Sequence, residues 1–149
     1  MKPLISTMLL FSTAIALAHA GDDKSDLERM QGTWIVVALT EKGKALPAGE
    51  LEGLEVVIEM DMLTAFEKGK AIVKCQIKVD STKKPKAIDL TYLIGDDKGK
   101  TEAGIYKIDK EQFTLVLDED KKGRPTAFDG KGTESYSVHV LKKKAKEAK

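Results

Sequence analysis

The sequence has little of the chemistry on which enzymes and metal proteins depend. The 149 residues include one cysteine, Cys75, and two histidines, His19 and His139. A lone cysteine cannot form an intramolecular disulfide, and one cysteine with one distant histidine cannot furnish a zinc site. The sequence also contains no glycine-rich phosphate loop and no Gly-x-Ser-x-Gly motif. We therefore predict a protein that is not an enzyme and that has no catalytic residues, no metal and no cofactor.

An excess of charge of one sign is also lacking. Lysine and arginine together number 25 and aspartate and glutamate 24, so the formal net charge is +1. The last eight residues, 142–149, hold five lysines and one glutamate. A short basic segment at a terminus is typical of a solvated tail. The alternative is a segment that is attracted to an anionic surface. We predict no nucleic-acid partner and a disordered basic tail over residues 142–149.

Long apolar runs are absent except at the N-terminus. Residues 4–17 are interrupted only by serine and threonine, Lys2 precedes them, and Ala18-His19-Ala20 follows as a small-x-small cleavage site. The run is shorter than the roughly 20 residues that a membrane-spanning helix needs. We expect a cleaved signal peptide over residues 1–20 and a mature domain over residues 21–141. This predicts a periplasmic or secreted protein without stable membrane insertion after cleavage.

Alternation of apolar and polar residues dominates the rest of the chain. It is clearest over Ala71–Asp80, where nearly every second side chain is apolar. The alternation predicts eight strands: Thr33–Thr40, Leu54–Met60, Met62–Glu67, Ala71–Asp80, Ala87–Ile94, Glu102–Ile108, Gln112–Asp118 and Glu134–Leu141. The links are too short for the helical crossovers of a parallel sheet. We predict an all-β fold, an eight-stranded antiparallel up-and-down barrel, with a sandwich of the same strands as the alternative.

A short helical turn is predicted immediately before the first strand. Ser25 and Glu28 have the spacing of a capping box, so a turn can begin at Asp26. Gly32 ends the turn, and the strand that follows carries the only tryptophan, Trp34. We expect Trp34 to anchor the core at the point where the turn meets the barrel.

This opening and three later stretches resemble a known family. A helical turn followed by Gly-x-Trp is similar to the opening of lipocalins and related calycin barrels. With Asp26–Gln31, the stretches Lys83–Leu90, Gly104–Tyr106 and Arg124–Phe128 resemble uncharacterised lipocalin-like secreted domains abundant in planctomycete bacteria. The resemblance implies a lipocalin-like barrel and no established activity. Lipocalins place an arginine from the last strand over the tryptophan; the last predicted strand here leads into Leu141-Lys142-Lys143, which leaves that role to a lysine.

The inward face of the predicted barrel supplies the candidate ligand-binding residues. They are Trp34, Val36, Val56, Ile58, Val73, Cys75, Ile77, Leu90, Tyr92, Phe113, Leu115, Tyr136 and Val138. An eight-stranded barrel can either fill its interior with side chains or hold one small ligand. Arg29 and Arg124 are the only arginines and lie outside the predicted strands, so no guanidinium is expected to clamp a buried carboxylate.

These observations favour a protein that binds a small, neutral, hydrophobic ligand. The alternative is a non-catalytic interaction or structural module whose barrel is filled, and the sequence names no protein partner for it. His139 alternates with the apolar residues of its strand, so we expect it at the surface. Cys75 lies in an apolar row, where we expect a buried and inert thiol.

Overall fold

The computed structural model of the chain describes residues 22–129 and 134–146. The predicted signal peptide and the last three residues of the predicted tail lie outside that part of the chain. The described elements are two helices, α1 (Asp22–Met30) and α2 (Ala48–Leu51), and nine strands, β1 (Gly32–Glu41), β2 (Lys44–Ala45), β3 (Leu54–Glu59), β4 (Met62–Glu67), β5 (Lys70–Asp80), β6 (Ala87–Tyr92), β7 (Thr101–Ile108), β8 (Gln112–Asp118) and β9 (Tyr136–Lys143). None of the helices in these ranges has the length and apolarity needed to cross a membrane.

Eight of the strands close into an antiparallel barrel. Each is hydrogen-bonded to the next in the order β1, β3, β4, β5, β6, β7, β8, β9, and β9 pairs back with β1. The closing seam pairs Trp34 with Lys143 at one end and Thr40 with Val138 at the other. The short β2 pairs antiparallel with the end of β1, Ala45 with Thr40 and Lys44 with Glu41. The predicted fold class is confirmed, and the sandwich alternative is excluded because no barrel strand is left with a free edge.

The strand boundaries agree with the predicted ones to within two residues at every end. The main correction is at β9, which continues to Lys143, so Lys142 and Lys143 belong to the barrel and not to the predicted tail.

The backbone conformation of the turn residues makes the hairpins tight. At the β4–β5 turn, for example, Lys68 and Gly69 both have a positive φ, the conformation that a tight two-residue hairpin requires.

Helix α1 closes one end of the barrel. It begins at Asp22, one turn earlier than the predicted Asp26, so Ser25 lies inside the helix and not at its cap. Asp26 is buried and accepts hydrogen bonds from the Tyr106 hydroxyl at 2.8 Å and the Lys86 ammonium at 2.7 Å. These two hydrogen bonds replace the hydration that the buried carboxylate has lost, and they connect the helix to the barrel.

Trp34 lies where α1 meets the barrel, as predicted. Its side chain has no exposed surface, and the indole N–H donates to the Met30 carbonyl at 2.7 Å. The centroid of the Phe113 ring is 5.6 Å from that of the indole on one side. The Lys143 ammonium lies 4.6 Å from the indole centroid and donates to the Gln31 carbonyl. A lysine therefore occupies the place that the lipocalin resemblance leaves to it, as a cation over an aromatic face.

The connection between β8 and β9 folds back over the outside of the barrel. We call residues 119–129 the strap. The Arg124 guanidinium donates to the carbonyls of Ile88 and Gly104, at 3.1 and 2.8 Å, and forms an ion pair with Asp89 at 2.8 Å. Pro125 of the strap is fully buried. The strap thus lies over the outside of β6 and β7.

Candidate functional site

The register of the ladders assigns every barrel side chain to the inner or the outer face, because directly paired residues share a face. Eleven of the thirteen candidate lumen residues lie on the inner face and belong to the hydrophobic core or pack against it. They are Trp34, Val36, Val56, Ile58, Val73, Cys75, Ile77, Leu90, Tyr92, Phe113 and Leu115.

The prediction is wrong for the two candidates on β9. Tyr136 pairs with Asp118 and Val138 with Val116, which places both on the outer face. The Tyr136 hydroxyl donates to the Gly123 carbonyl of the strap at 3.1 Å. The strap buries part of this outer face, so apolar residues occur on both faces of β9. The alternation of apolar and polar residues therefore predicts the wrong face for this strand.

His139 is correspondingly an inward residue and not the predicted surface residue. It pairs with Leu39 of β1 and Leu115 of β8, both of which belong to the core. Burial lowers the pKa of the imidazole to about 4, so the ring is uncharged at neutral pH. Its Nε2 atom lies 2.9 Å from the hydroxyl oxygen of Ser137.

The half of the barrel next to α1 is filled with side chains. Trp34, Ile58 and Phe113 have no exposed surface. The Phe113 ring also meets Tyr106 edge to face, with 6.4 Å between the ring centroids. No space for a ligand lies among these contacts, so the candidate site is at the other end.

Cys75 is buried, as predicted, and its burial makes a test of the strand register possible. The thiol has no exposed surface, and burial raises its pKa to about 12. We expect a bulky disulfide reagent to leave native Cys75 unmodified at pH 8 and to modify it fully in denaturant. A variant that moves the thiol to the exposed neighbouring position, Cys75→Ser with Lys74→Cys, should react in the folded state. Equal native reactivity of the two proteins would contradict the register of β5.

The opposite half of the barrel is open. Six inward-facing side chains there keep partly exposed surface, namely Leu54, Ala65, Val73, Tyr92, Glu102 and His139. Beneath them lie Val56, Cys75 and Leu117, which are buried. The six partly exposed side chains surround a space at the mouth of the barrel that solvent enters. We call this space the recess.

Polar groups occupy the rim of the recess. Tyr92 and Glu102 share a hydrogen bond, and burial raises the pKa of both side chains. A cavity of about 200 Å³ lies beside this pair. Its wall is formed by Tyr92, Asp97, Lys100, Thr101, Glu102, Glu119, Asp120 and Lys121. Of these residues, only Tyr92 is among the candidates predicted from the sequence. Glu102 interrupts the apolar pattern of β7, so alternation does not assign this strand a facing.

Ser137, His139 and Glu119 come together near the rim, but not in the arrangement of a catalytic triad. Glu119 is hydrogen-bonded to Ser137, whereas in a triad the carboxylate orients the histidine. Ser137 also has no exposed surface for a substrate to reach. The three side chains form a hydrogen-bonded chain that satisfies polar groups inside the barrel. Elsewhere in the described ranges, no group of three or more His, Cys, Asp or Glu side chains is placed to hold a metal ion.

Together the fold and the site define a closed, lipocalin-like antiparallel barrel with one filled end and one open end. Scans against protein-family models, curated proteins and solved structures give no match for the chain. The resemblance to the planctomycete domains therefore depends on the sequence stretches themselves and stays a prediction.

Proposed function

We propose that this protein is an extracytoplasmic, lipocalin-like carrier that binds one small, neutral, hydrophobic molecule in the recess. The observation that carries the proposal is the contrast between the two ends of the barrel. Next to α1, Trp34, Ile58 and Phe113 have no exposed surface, whereas inward-facing side chains at the open end are partly exposed. A ligand that covers Leu54, Ala65 and Val73 would gain about 25 cal/mol for each Å² of apolar surface removed from water.

The charge of the recess supports a neutral ligand. His139 is uncharged at neutral pH. Burial raises the pKa of Glu102, which favours its uncharged form. Neither arginine is available to bind a carboxylate inside the barrel. Arg124 is held on the outer face, and Arg29 lies on α1, 3.6 Å from Asp26. Tyr92 and Glu102 can instead orient a hydroxyl or carbonyl group on an otherwise apolar molecule.

The location and the family are parts of the same proposal. The signal-like character of residues 1–20 supports export, and the stretches that carry the planctomycete resemblance support membership of that family. A carrier fits both, since lipocalin-like barrels with an open end hold single small ligands.

Binding can be tested with N-phenyl-1-naphthylamine, a neutral apolar dye whose fluorescence rises in an apolar site. We expect saturable binding to the wild-type protein. Ala65→Trp should weaken it at least tenfold, because position 65 faces the recess and the indole would fill it. The matched control is Ala38→Trp, since Ala38 is exposed and pairs with Val140 on the outer face. This control should bind as the wild type does.

Competition then tests the charge preference. Dodecanol should displace the dye more effectively than dodecanoate at pH 8, because the recess offers no guanidinium to the carboxylate. Absence of saturable dye binding, or equal binding by the folded Ala65→Trp variant, would refute the carrier proposal. The interaction-module alternative would then be favoured. The outer face of β1 gives it a specific basis, since Ile35 and Val37 are 38% and 41% exposed.

A further inference from the structure

A second cleft lies outside the barrel, beside the closed end. It has a volume of about 330 Å³ and no wall in common with the recess. The β5–β6 loop contributes Lys83, Lys84 and Pro85, the end of β7 contributes Lys107 and Ile108, and the strap contributes Phe128. Three stretches that are far apart in the sequence thus meet in one wall.

The cleft has a strong positive charge. Lys83, Lys84 and Lys107 are exposed, and none of them takes part in a salt bridge within the described residues. Two carboxylates near the loop accept hydrogen bonds, and Asp80 also attracts Lys83 electrostatically. Asp80 accepts from the N–H and the hydroxyl of Thr82, and Asp23 accepts from Ser81. Three ammonium groups around one concave surface attract anions.

The floor of the cleft is apolar. The Phe128 ring is partly buried, and the Lys107 ammonium lies 4.7 Å from its centroid. This cation–π contact holds a positive charge over the face of the Phe128 ring. Pro85 and Ile108 are partly buried beside it. A ligand that matches both features must carry a negative group and a flat apolar group close together.

We infer that this cleft binds a small aromatic phosphate monoester. The phosphate would lie among Lys83, Lys84 and Lys107, and the aromatic group would lie against Phe128. Lysines bind phosphate as point charges, and the dianion of a monoester suits several of them better than a single carboxylate does. The volume is at the lower end of the range for small-molecule sites, which fits one aromatic ring with its phosphate.

The test uses phenyl phosphate, with phenol and inorganic phosphate as the two partial ligands. Titration into ¹⁵N-labelled protein should shift the backbone amide signals of Lys84, Lys107 and Phe128 in a saturable way. Phenyl phosphate should bind at least tenfold more tightly than either partial ligand. Phe128→Ala should remove most of its advantage over inorganic phosphate and leave the binding of inorganic phosphate within about twofold.

Two double variants separate a built site from general basicity. Lys83→Gln with Lys84→Gln should weaken phenyl phosphate at least tenfold. The control, Lys70→Gln with Lys74→Gln, removes the same charge from exposed positions on β5 and should change the affinity less than twofold. Equal losses in both variants, or shifts spread over lysines around the whole surface, would refute the inference. Ala65→Trp should keep phenyl phosphate binding, so failure of the carrier proposal and failure of this one are distinguishable.

Discussion

Replacing Trp34 by alanine is expected to lower the free energy of unfolding by about 3–5 kcal/mol, the usual range for emptying a buried aromatic site. Three interactions are lost together in this variant. The Met30 carbonyl loses its 2.7 Å donor, Phe113 loses a neighbouring ring at 5.6 Å, and Lys143 loses the aromatic face beneath its ammonium. Because α1 reaches the barrel at this point, the packing of both α1 and the barrel should be weakened.

Chemical denaturation at pH 7 measures the effect, and Ile35→Ala is the matched control. Ile35 is the next residue of β1, faces outward and is 38% exposed, so its truncation should cost less than about 1 kcal/mol. Trp34→Phe should fall between the two variants, since it keeps a ring but loses the N–H donor. A Trp34→Ala midpoint close to that of Ile35→Ala would show that the indole does not anchor the core.

Acidification from pH 7 to pH 4 is expected to weaken the fold through His139. Burial lowers the pKa of the folded imidazole to about 4 from an ordinary value of 6.5. Between these two values the unfolded chain binds a proton that the folded protein does not bind, so stability falls as the pH is lowered. At about 1.4 kcal/mol for each pKa unit, the loss approaches 3 kcal/mol near pH 4.

His139→Gln isolates this contribution, because glutamine keeps a polar side chain and has no proton to bind. Between pH 7 and pH 4 the variant should lose about 3 kcal/mol less than the wild type does. Glu102 and Glu119 act in the opposite sense, since their pKa values are raised by burial, but both proteins contain them. Parallel stability profiles for the two proteins would mean that His139 is solvated, as its sequence pattern suggests.

Much of the barrel can be predicted from the sequence because each strand signal is local. The period-two alternation of β5 depends only on neighbouring residues and agrees with the structure. The place of Trp34 is predictable for the same reason, since the helical turn, Gly32 and the first strand are contiguous.

The features that sequence reasoning missed depend on contacts between distant segments. The facing of β9 is inverted because the strap gives its outer face an apolar environment, and a strand assigned to the wrong face exchanges every side chain at once. The sequence likewise does not reveal Glu102 as a residue of the recess, because its facing is known only once β7 is paired with β6. The cleft at Phe128 is formed by three separate stretches, so no local pattern reveals it.

The seam between β1 and β9 has a consequence for how the chain acquires its shape. Trp34 and Lys143 pair across it although they are more than a hundred positions apart in the sequence. Pairings so remote must wait for nearly the whole chain, and the loop-closure entropy makes such topologies slow to form. During synthesis the first strand therefore has no final partner on this side until β9 has emerged.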